Sequence, residues 1–518
     1  MAKALVLQIL QVLILCTGLA AYFIKDVSKR RAAVIALLVA CTALVGYTFY
    51  QPLADKDHDK KSLAVMDSSQ SEFVIKLSSA FDDFLRESGV ASIGHESDSK
   101  TKEMIDEMRG QALKFARTAA EHDPNSVAMA FRLLVIAGES RNKAQISAGL
   151  EKLRAMKEAN AAPAGLLIER LYEKHEIAAA TVPEALTVVQ TLTSKGWFRD
   201  VATIEVYRAA ADKAQADKLL ADYRSHLQSY LLRVICLLIT AVCLGLVGTL
   251  LFIGQFFFWP RQLTSDQDRA LIAAPLDYGT LKIYGVLIGW LALECVCSPL
   301  MGGLAKFIKR PSGPIDPFTI GLTIFIFYTL NNVPSLILAW LIAIRPTGVR
   351  FLDAVKLRFK VNGQFHPFRL ILAGVTAWLC AIPLIMASAV ISKNLQSQGS
   401  ANPILPIISE VVRSDSWFII FLFVFVLGVV PAICEETLFR GFLYTSLRAK
   451  HGVFFSVVVS AAVFAAVHMD FGAFLQLFIL GAIFALVMER TKSLVPSMVA
   501  HCLWNSGTLI LMMVAFGG

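Results

Sequence analysis

Runs of about 20 apolar residues, the length a helix needs to cross the hydrocarbon core, recur along this 518-residue chain. They lie near 4–24, 33–50, 230–259, 280–301, 315–344, 368–392, 416–434, 453–469, 472–489 and 494–516. In lipid every backbone N–H and C=O must be satisfied internally, so such runs fold as helices rather than open sheets. The fold class that follows is all-α: a polytopic transmembrane helix bundle with an inserted helical extramembrane domain. A 56% hydrophobic and 17% charged composition excludes a purely soluble enzyme. The first run has Lys3 before it and small residues at Gly18, Ala20 and Ala21, as a signal peptide would. A second run follows at once, so we read an uncleaved span.

Charge divides the chain into the same parts. Residues 51–229 hold 24 Lys and Arg against 27 Asp and Glu, whereas the rest holds 25 against 13. The surplus cations sit in short clusters between apolar runs, which marks membrane-flanking loops rather than a nucleic-acid surface. No DNA- or RNA-binding motif accompanies them. Three parts result: two spans within 1–50, a helical block at 51–229, and a polytopic region at 230–518. All nine cysteines fall in apolar stretches and none in the 51–229 block, so a disulfide-stapled ectodomain is excluded. Cys295 and Cys297 have no further ligand types close by and read as packing residues.

The 51–229 block has apolar residues three and four apart, as in Val74, Leu77, Phe81 and Leu85, and prolines at 124, 163 and 183 that suit helix starts. Ala116 to Ser126, "ARTAAEHDPNS", faintly resembles the punctuation of a helical-hairpin repeat such as the tetratricopeptide type, but no fixed 34-residue period follows it. A helical, repeat-like domain for protein partners is the reading. Its histidines (58, 95, 122, 175 and 226) form no ligand cluster and read as surface residues.

Ionisable groups within spans are costly and mark function. The last hundred residues concentrate them. Glu435 and Glu436 end an apolar run, and Arg440 follows Glu436 at i+4, close enough on a helix for an ion pair. Glu435, about 100° round the helix, is left to face another neighbour. A bland alternative is a helix start whose first-turn acids are favoured by the dipole. His468 lies four residues after Phe464, and Asn505 four after His501, each pair in apolar sequence. A carboxylate pair, two imidazoles and an amide within 71 residues outweigh the bland alternative.

The three motifs Glu435-Glu436-Thr-Leu-Phe-Arg440, Phe464-Ala-Ala-Val-His468 and His501-Cys-Leu-Trp-Asn505 stand in the order of the CPBP intramembrane proteases, also called the Abi or type II CAAX prenyl endopeptidase family. The chain resembles that family clearly over about 416–510 and more loosely from about 280, giving a protease-type core at about 280–516. Residues 1–229 fall outside the likeness. The resemblance implies an intramembrane endopeptidase acting on a membrane-associated or CAAX-like protein substrate in the bilayer. Peptide hydrolysis needs an activated water, stabilisation of the oxyanion and a proton for the leaving amine. Glu435 can take the water's proton while His468 holds the water. His501 and the Asn505 amide can donate to the oxyanion, and Glu436 with Arg440 orients the site. A second version makes Glu435, His468 and His501 ligands of Zn²⁺ with water in the fourth position. The absence of H-E-x-x-H tips the reading to a glutamate-activated water that requires no cofactor.

Other polar residues in spans have structural readings. Glu294 suits an inward-facing or substrate-path position, Asn331 and Asn332 before Pro334 a helix break, and Asp470 a cap for the next helix. A non-enzymatic scaffold, a protein-recruiting or immunity factor, and a transporter are the competing functions. A transporter fits least, since no two similar halves with interrupted helices are present.

The short loops fix an orientation. With the 25–32 loop inside, 15 Lys and Arg fall on the cytoplasmic side, among them Arg345, Arg350, Lys356, Arg358, Lys360, Arg448 and Arg490, against 6 opposite. Residues 51–229 are then extracytoplasmic. Protease added to intact cells or spheroplasts is expected to remove this block; protection there, with digestion in inverted vesicles, would reverse the orientation.

Overall fold

The computed structural model describes residues 6, 9–14, 16–18, 26–54, 60–88, 95–258, 278–308, 317–361, 364–395, 416–468, 470 and 472–516. The architecture is all-α and multi-pass. Its only extended pairing among the described residues is a two-residue ladder that aligns Lys360 with Phe365 and Val361 with Gln364. The chain divides into two compact units, one built mainly from 56–240, the other from 1–55, 241–400 and 416–510. After α1 (Val27–Ala54), the first of these comprises α2 (Lys60–Ser88), α3 (His95–His122), α4 (Val127–Glu139), α5 (Lys143–Ala155), α6 (Ala161–Glu169), α7 (Val182–Leu192), α8 (Trp197–Ala209) and the beginning of α9 (Lys213–Phe258).

Local chemistry sets these boundaries. The Ser126 hydroxyl accepts from the Met129 N–H at 3.3 Å and the Asn142 carbonyl from the Gln145 N–H at 3.1 Å, satisfying first-turn donors of α4 and α5. Pro163 and Pro183 sit in the first turns of α6 and α7, where a missing N–H costs nothing, and Pro124 lies in the turn before Ser126. Phe131, Leu134, Val135 and Ile136 of α4 are fully buried in one apolar core with Leu153, Ile168, Val189 and Ala202.

The stripe expected on α2 is placed differently. Val74, Leu77, Phe81 and Leu85 are half-buried, whereas Ala64, Ser68, Ser71, Ile75 and Ser78 form the deeply buried face. Small residues let α2 approach α3 closely, and the Ser71 hydroxyl donates to the Ala112 carbonyl at 2.8 Å. Leu77 and Phe81 pack on Leu227, Tyr230 and Leu231 of α9. The surface assignment of the histidines needs correcting at His122, which is half-buried with Nδ1 3.0 Å from a carboxylate oxygen of the buried Asp67. Burial pushes the Asp67 carboxyl up, and the His122 hydrogen bond pulls it down. His58 and the His95 side chain lie outside the described residues.

Six helical stretches among the described residues are long and apolar enough to cross a membrane: Val27–Tyr47, Lys213–Gln255, Pro367–Ser392, Trp417–Arg448, Phe474–Thr491 and Val495–Val514. They cover six of the ten expected runs. Two further runs are helical as α10 (Thr280–Ile308) and α11 (Pro317–Leu338). The run at 453–469 forms a shorter apolar helix, Val453–Val467, and the first run lies partly outside the described residues. Continuing in chain order, α12 is Pro367–Leu395, α13 the stretch Trp417–Arg448, α14 Val453–Val467, α15 Phe474–Thr491 and α16 Val495–Phe516.

Prolines and glycines shape this bundle. Pro383 has no N–H for the carbonyl of Leu379 four residues back. Gly248 of α9 lies against that carbonyl so closely that a Cβ there would stand 2.1 Å from the oxygen. Gly374 likewise admits α16, since a Cβ would meet Pro496 O at 2.6 Å. Beneath the motif residues a core of Val286, Trp290, Leu438, Phe439, Phe442, Phe464, Met488 and Leu494 joins α10, α13, α14 and α15 to the segment entering α16.

Phe131 offers a direct check of the polar unit's packing. Phe131→Ala is expected to cost about 3–5 kcal/mol, read by pulse proteolysis of full-length protein in urea as a lowered midpoint for cleavage within 95–209. An unchanged midpoint would contradict the core described.

Candidate active site

The motif residues come together inside the membrane unit. Glu435 and Glu436 lie on α13 where the helix changes register: Phe425–Val429 and Thr437–Tyr444 are π-helical, and Val430–Glu436 between them is α-helical. Such insertions cluster at functional sites and at breaks in the hydrogen-bond ladder. Pro431 supplies the break, because it cannot donate to the Leu427 carbonyl four residues back. The Asn505 amide donates to that same carbonyl at 3.3 Å, so α16 completes what the proline leaves unmade.

Glu436 and Arg440 are both fully buried. Arg440 Nη1 donates to Glu436 Oε1 at 2.6 Å and Nη2 to the Gly481 carbonyl of α15 at 3.2 Å. Three rings box the guanidinium, with centroids 4.3 Å (Phe464), 5.2 Å (Phe484) and 5.9 Å (Phe439) away. Glu436 Oε1 also lies 2.8 Å from His501 Nδ1. A carboxylate paired with arginine can only accept, so His501 carries its proton on Nδ1 and turns a lone pair on Nε2 the other way. His468 has the same tautomer for a different reason, since its Nδ1 is 2.7 Å from the Phe464 carbonyl, which also only accepts. Phe484 stacks on His501 at 5.1 Å between centroids, and Phe464 meets both imidazoles edge-on.

Both free Nε2 atoms face Glu435. Its Oε2 is 3.9 Å from His468 Nε2 and 4.0 Å from His501 Nε2, and hydrogen-bonds to no described residue although the atom is enclosed. Three acceptors converging at such range need a donor or a cation between them. Fractional exposure rises from 0% at Glu436 and Arg440 to 5% at His501, 18% at Glu435 and 32% at His468. Glu294 of α10 and Tyr328 of α11 are near enough to Glu435 to feel its charge.

The three donors are of the types zinc takes, and each imidazole has the outer partner on Nδ1 that metal-bound histidines have. Glu435 Oε2 lies farther from both Nε2 atoms than the edges of about 3.4 Å that a tetrahedral zinc about 2.1 Å from each ligand would set. A water hydrogen-bonded at about 2.8 Å accommodates edges near 4 Å. Among the described residues no group of three or more His, Cys, Asp or Glu side chains has the geometry of a metal site.

Of the other polar residues, Asp470 acts as a cap, accepting from the Ala473 N–H at 3.0 Å just before α15. The helix break expected at Asn332 is not present, since α11 runs on through Pro334 and the Asn332 amide donates within it to the Tyr328 carbonyl at 2.9 Å. The Asn331 side chain lies outside the described residues.

The sequence reading missed a second buried ion cluster. Arg448 grips Glu489 with Nε and Nη2 at 3.1 and 3.0 Å, and the Tyr444 hydroxyl donates to Glu489 at 2.7 Å. Arg448, counted above as a loop cation, is 3% exposed. The available signal was Glu489 itself, an acid closing an apolar run opposite a run that closes with arginine.

The helical multi-pass fold and a clustered Glu-Glu-Arg, His and His-Asn site define a polytopic membrane protein with a buried polar cluster among its described helices. Residues 416–507 match the family model described as type II CAAX prenyl endopeptidase Rce1-like. A curated protein of Bacillus subtilis (strain 168), "Putative membrane peptidase YdiL", is 31% identical over 90 residues, which are 17% of this chain and 37% of that protein. The chain therefore spans little more than a third of that relative's length. No solved structure matches.

Arg440→Ala would leave the Glu436 carboxylate buried and short of its cation, a loss of about 3–5 kcal/mol. The expected readout is reduced yield of monodisperse protein, with Arg440→Lys intermediate; wild-type yield for Arg440→Ala would show that the pair is dispensable.

Proposed function

We propose that the protein is an intramembrane endopeptidase in which Glu435 activates water. The observation that carries this is the convergence of Glu435 Oε2 with two imidazole lone pairs within 4.0 Å, backed by the buried Glu436–Arg440 pair. Water seated there donates one hydrogen to Glu435 and the other to His468. As it attacks the scissile carbonyl, Glu435 takes its proton and passes it to the departing amine. His501, its Nδ1–H held by Glu436, keeps Nε2 turned to the site, and the second hydrogen of the Asn505 amide is the available donor to the oxyanion. Glu436 works behind the site and not on the substrate. The match over 416–507 supports a membrane protein or a CAAX-like, membrane-associated peptide as substrate; the 51–229 block, outside the match, is proposed to recruit protein partners.

Zinc is the second reading, favoured by the donor types of Glu435, His468 and His501; bound there, it would polarise the carbonyl and lower the pKa of water. For that Glu435 Oε2 must approach each Nε2 by about 0.6 Å. Purified wild type and Glu435→Gln, incubated with membrane-derived peptides including prenylated ones, separate the outcomes. Glu435→Gln is expected to cleave at least about 10²-fold more slowly while purifying normally; equal rates would remove the mechanism. Activity unaffected by a strong chelator is expected, whereas stoichiometric zinc that is lost in His468→Ala would establish the metal version.

A further inference from the structure

The polar unit holds a cavity of about 850 Å³ between α2, α3, the end of α4, α8 and the beginning of α9. Its lining combines five acids and five arginines with an apolar wall that includes Trp197, Val201 and Ile204. Four of the arginines are committed to acids of the same lining: Arg86 and Arg109 to Asp82, Arg208 to Glu205, and Arg224 to Asp83. Arg109 also approaches Asp106 at 3.7 Å. Glu139 and Arg141, two residues apart at the end of α4, form no ion pair among the described residues. Glu139 has the Tyr172 hydroxyl at 3.4 Å. On α2, Asp83 is 8% exposed; Arg224 meets its Oδ1 at 3.1 Å, while its enclosed Oδ2 hydrogen-bonds to no described residue. Ser140 Oγ is enclosed in the same way. Acceptors held like this call for a donor from a bound molecule. Gly110 of α3 opens onto the cavity, since a Cβ there would meet no atom within 4 Å.

We propose that this cavity binds an extended peptide segment by a lysine side chain, with the ammonium on Glu139, a backbone carbonyl accepting from Arg141 and flanking apolar side chains on Trp197, Val201 and Ile204. An unpaired carboxylate beside acceptors short of donors selects a cation over an anion. A free aliphatic amine would leave Arg141 and the apolar wall unused, and the volume is that of a ligand pocket rather than of a packing defect. The inference rests on the recruiting role proposed for residues 51–229 and gives that role one site. Enclosure by the cavity walls pushes the Glu139 carboxyl up to about 7, the Glu205 carboxylate adds to this, and Arg208, the Tyr172 hydroxyl and Arg109 oppose it. A lysine ammonium stays charged throughout that range. Binding therefore follows ionisation of Glu139 and strengthens as pH rises through about 7.

Full-length protein in detergent is titrated calorimetrically with an acetylated, amidated pentapeptide of alanine, leucine, lysine, leucine and alanine, and with the same peptide carrying norleucine for lysine. Wild type is expected to bind the lysine peptide at least about tenfold more tightly, from one charge-assisted hydrogen bond. Its affinity should rise about tenfold between about pH 6 and pH 8, the change in the ionised fraction of Glu139. Glu139→Gln is expected to bind about tenfold more weakly and without that pH dependence. Gly110→Trp keeps every charge but fills the cavity, so it should lose the peptide, and spermidine should fail to displace the peptide from wild type. Equal binding of the two peptides, wild-type affinity in either variant, or displacement by spermidine would overturn the proposal. The peptide comparison and the pH series use wild-type protein, so neither depends on how a variant folds. A peptide bound alike by wild type and Glu139→Gln would remove this site and keep the recruiting role, whereas binding of neither peptide would count against both.

Discussion

The rest of the site depends on one carboxylate oxygen, Oε1 of Glu436. It takes Arg440 at 2.6 Å and His501 at 2.8 Å, so an ion pair and an imidazole tautomer are set by the same atom. An isolated charge this deep in an apolar bundle would cost several kcal/mol. Arg440 answers it, and the Gly481 carbonyl and three aromatic faces surround the guanidinium, whose Nε hydrogen-bonds to no described residue. Through these contacts α13, α14, α15 and α16 are held around one point. The arrangement also leaves Glu435, the neighbour of Glu436 in sequence, directed to a different space.

A helix that delivers two adjacent acids to two environments needs a local departure from regular geometry. Pro431 breaks the ladder one turn before Glu435, π-helical turns flank the break, and Asn505 supplies a donor to the Leu427 carbonyl. Asn505 therefore ties α16 to the backbone that aims Glu435, and the spacing from His501 to Asn505 places the imidazole and this tie on one face of one helix. The Pro383 and Gly248 contact repeats the idea in a neutral setting: a carbonyl without its helical donor is closed over by a glycine backbone.

Legibility in the sequence follows from range. Apolar runs of spanning length declare helices because lipid allows little else, and the carboxylates and imidazoles stand out because charge is rare in such runs. Glu436 with Arg440 was readable because the pair is local, four residues apart. Partners 41 residues apart, such as Arg448 and Glu489, were not, since each alone resembles an ordinary helix-end charge. The same holds for α2, where the serines that face α3 look solvent-directed until the neighbour is in place. The π-helical turns left no periodic signature in so uniformly apolar a run.

Burial then sorts the ionisable groups into roles. The residues that fix geometry, Glu436 and Arg440, are sealed, while Glu435 and His468 retain access to the exterior. A group that only orients gains from exclusion, because its interactions strengthen as the dielectric falls. A base of the kind proposed for Glu435 must meet both water and a peptide bond, so the same exclusion would silence it. His501 stands between the two sets, nearly buried, with one nitrogen on Glu436 and the other toward Glu435. In the proposed mechanism its ring is the route by which the sealed ion pair can influence charge developing on the substrate, and for that reason the tautomer fixed by Glu436 matters as much as the identity of the residue.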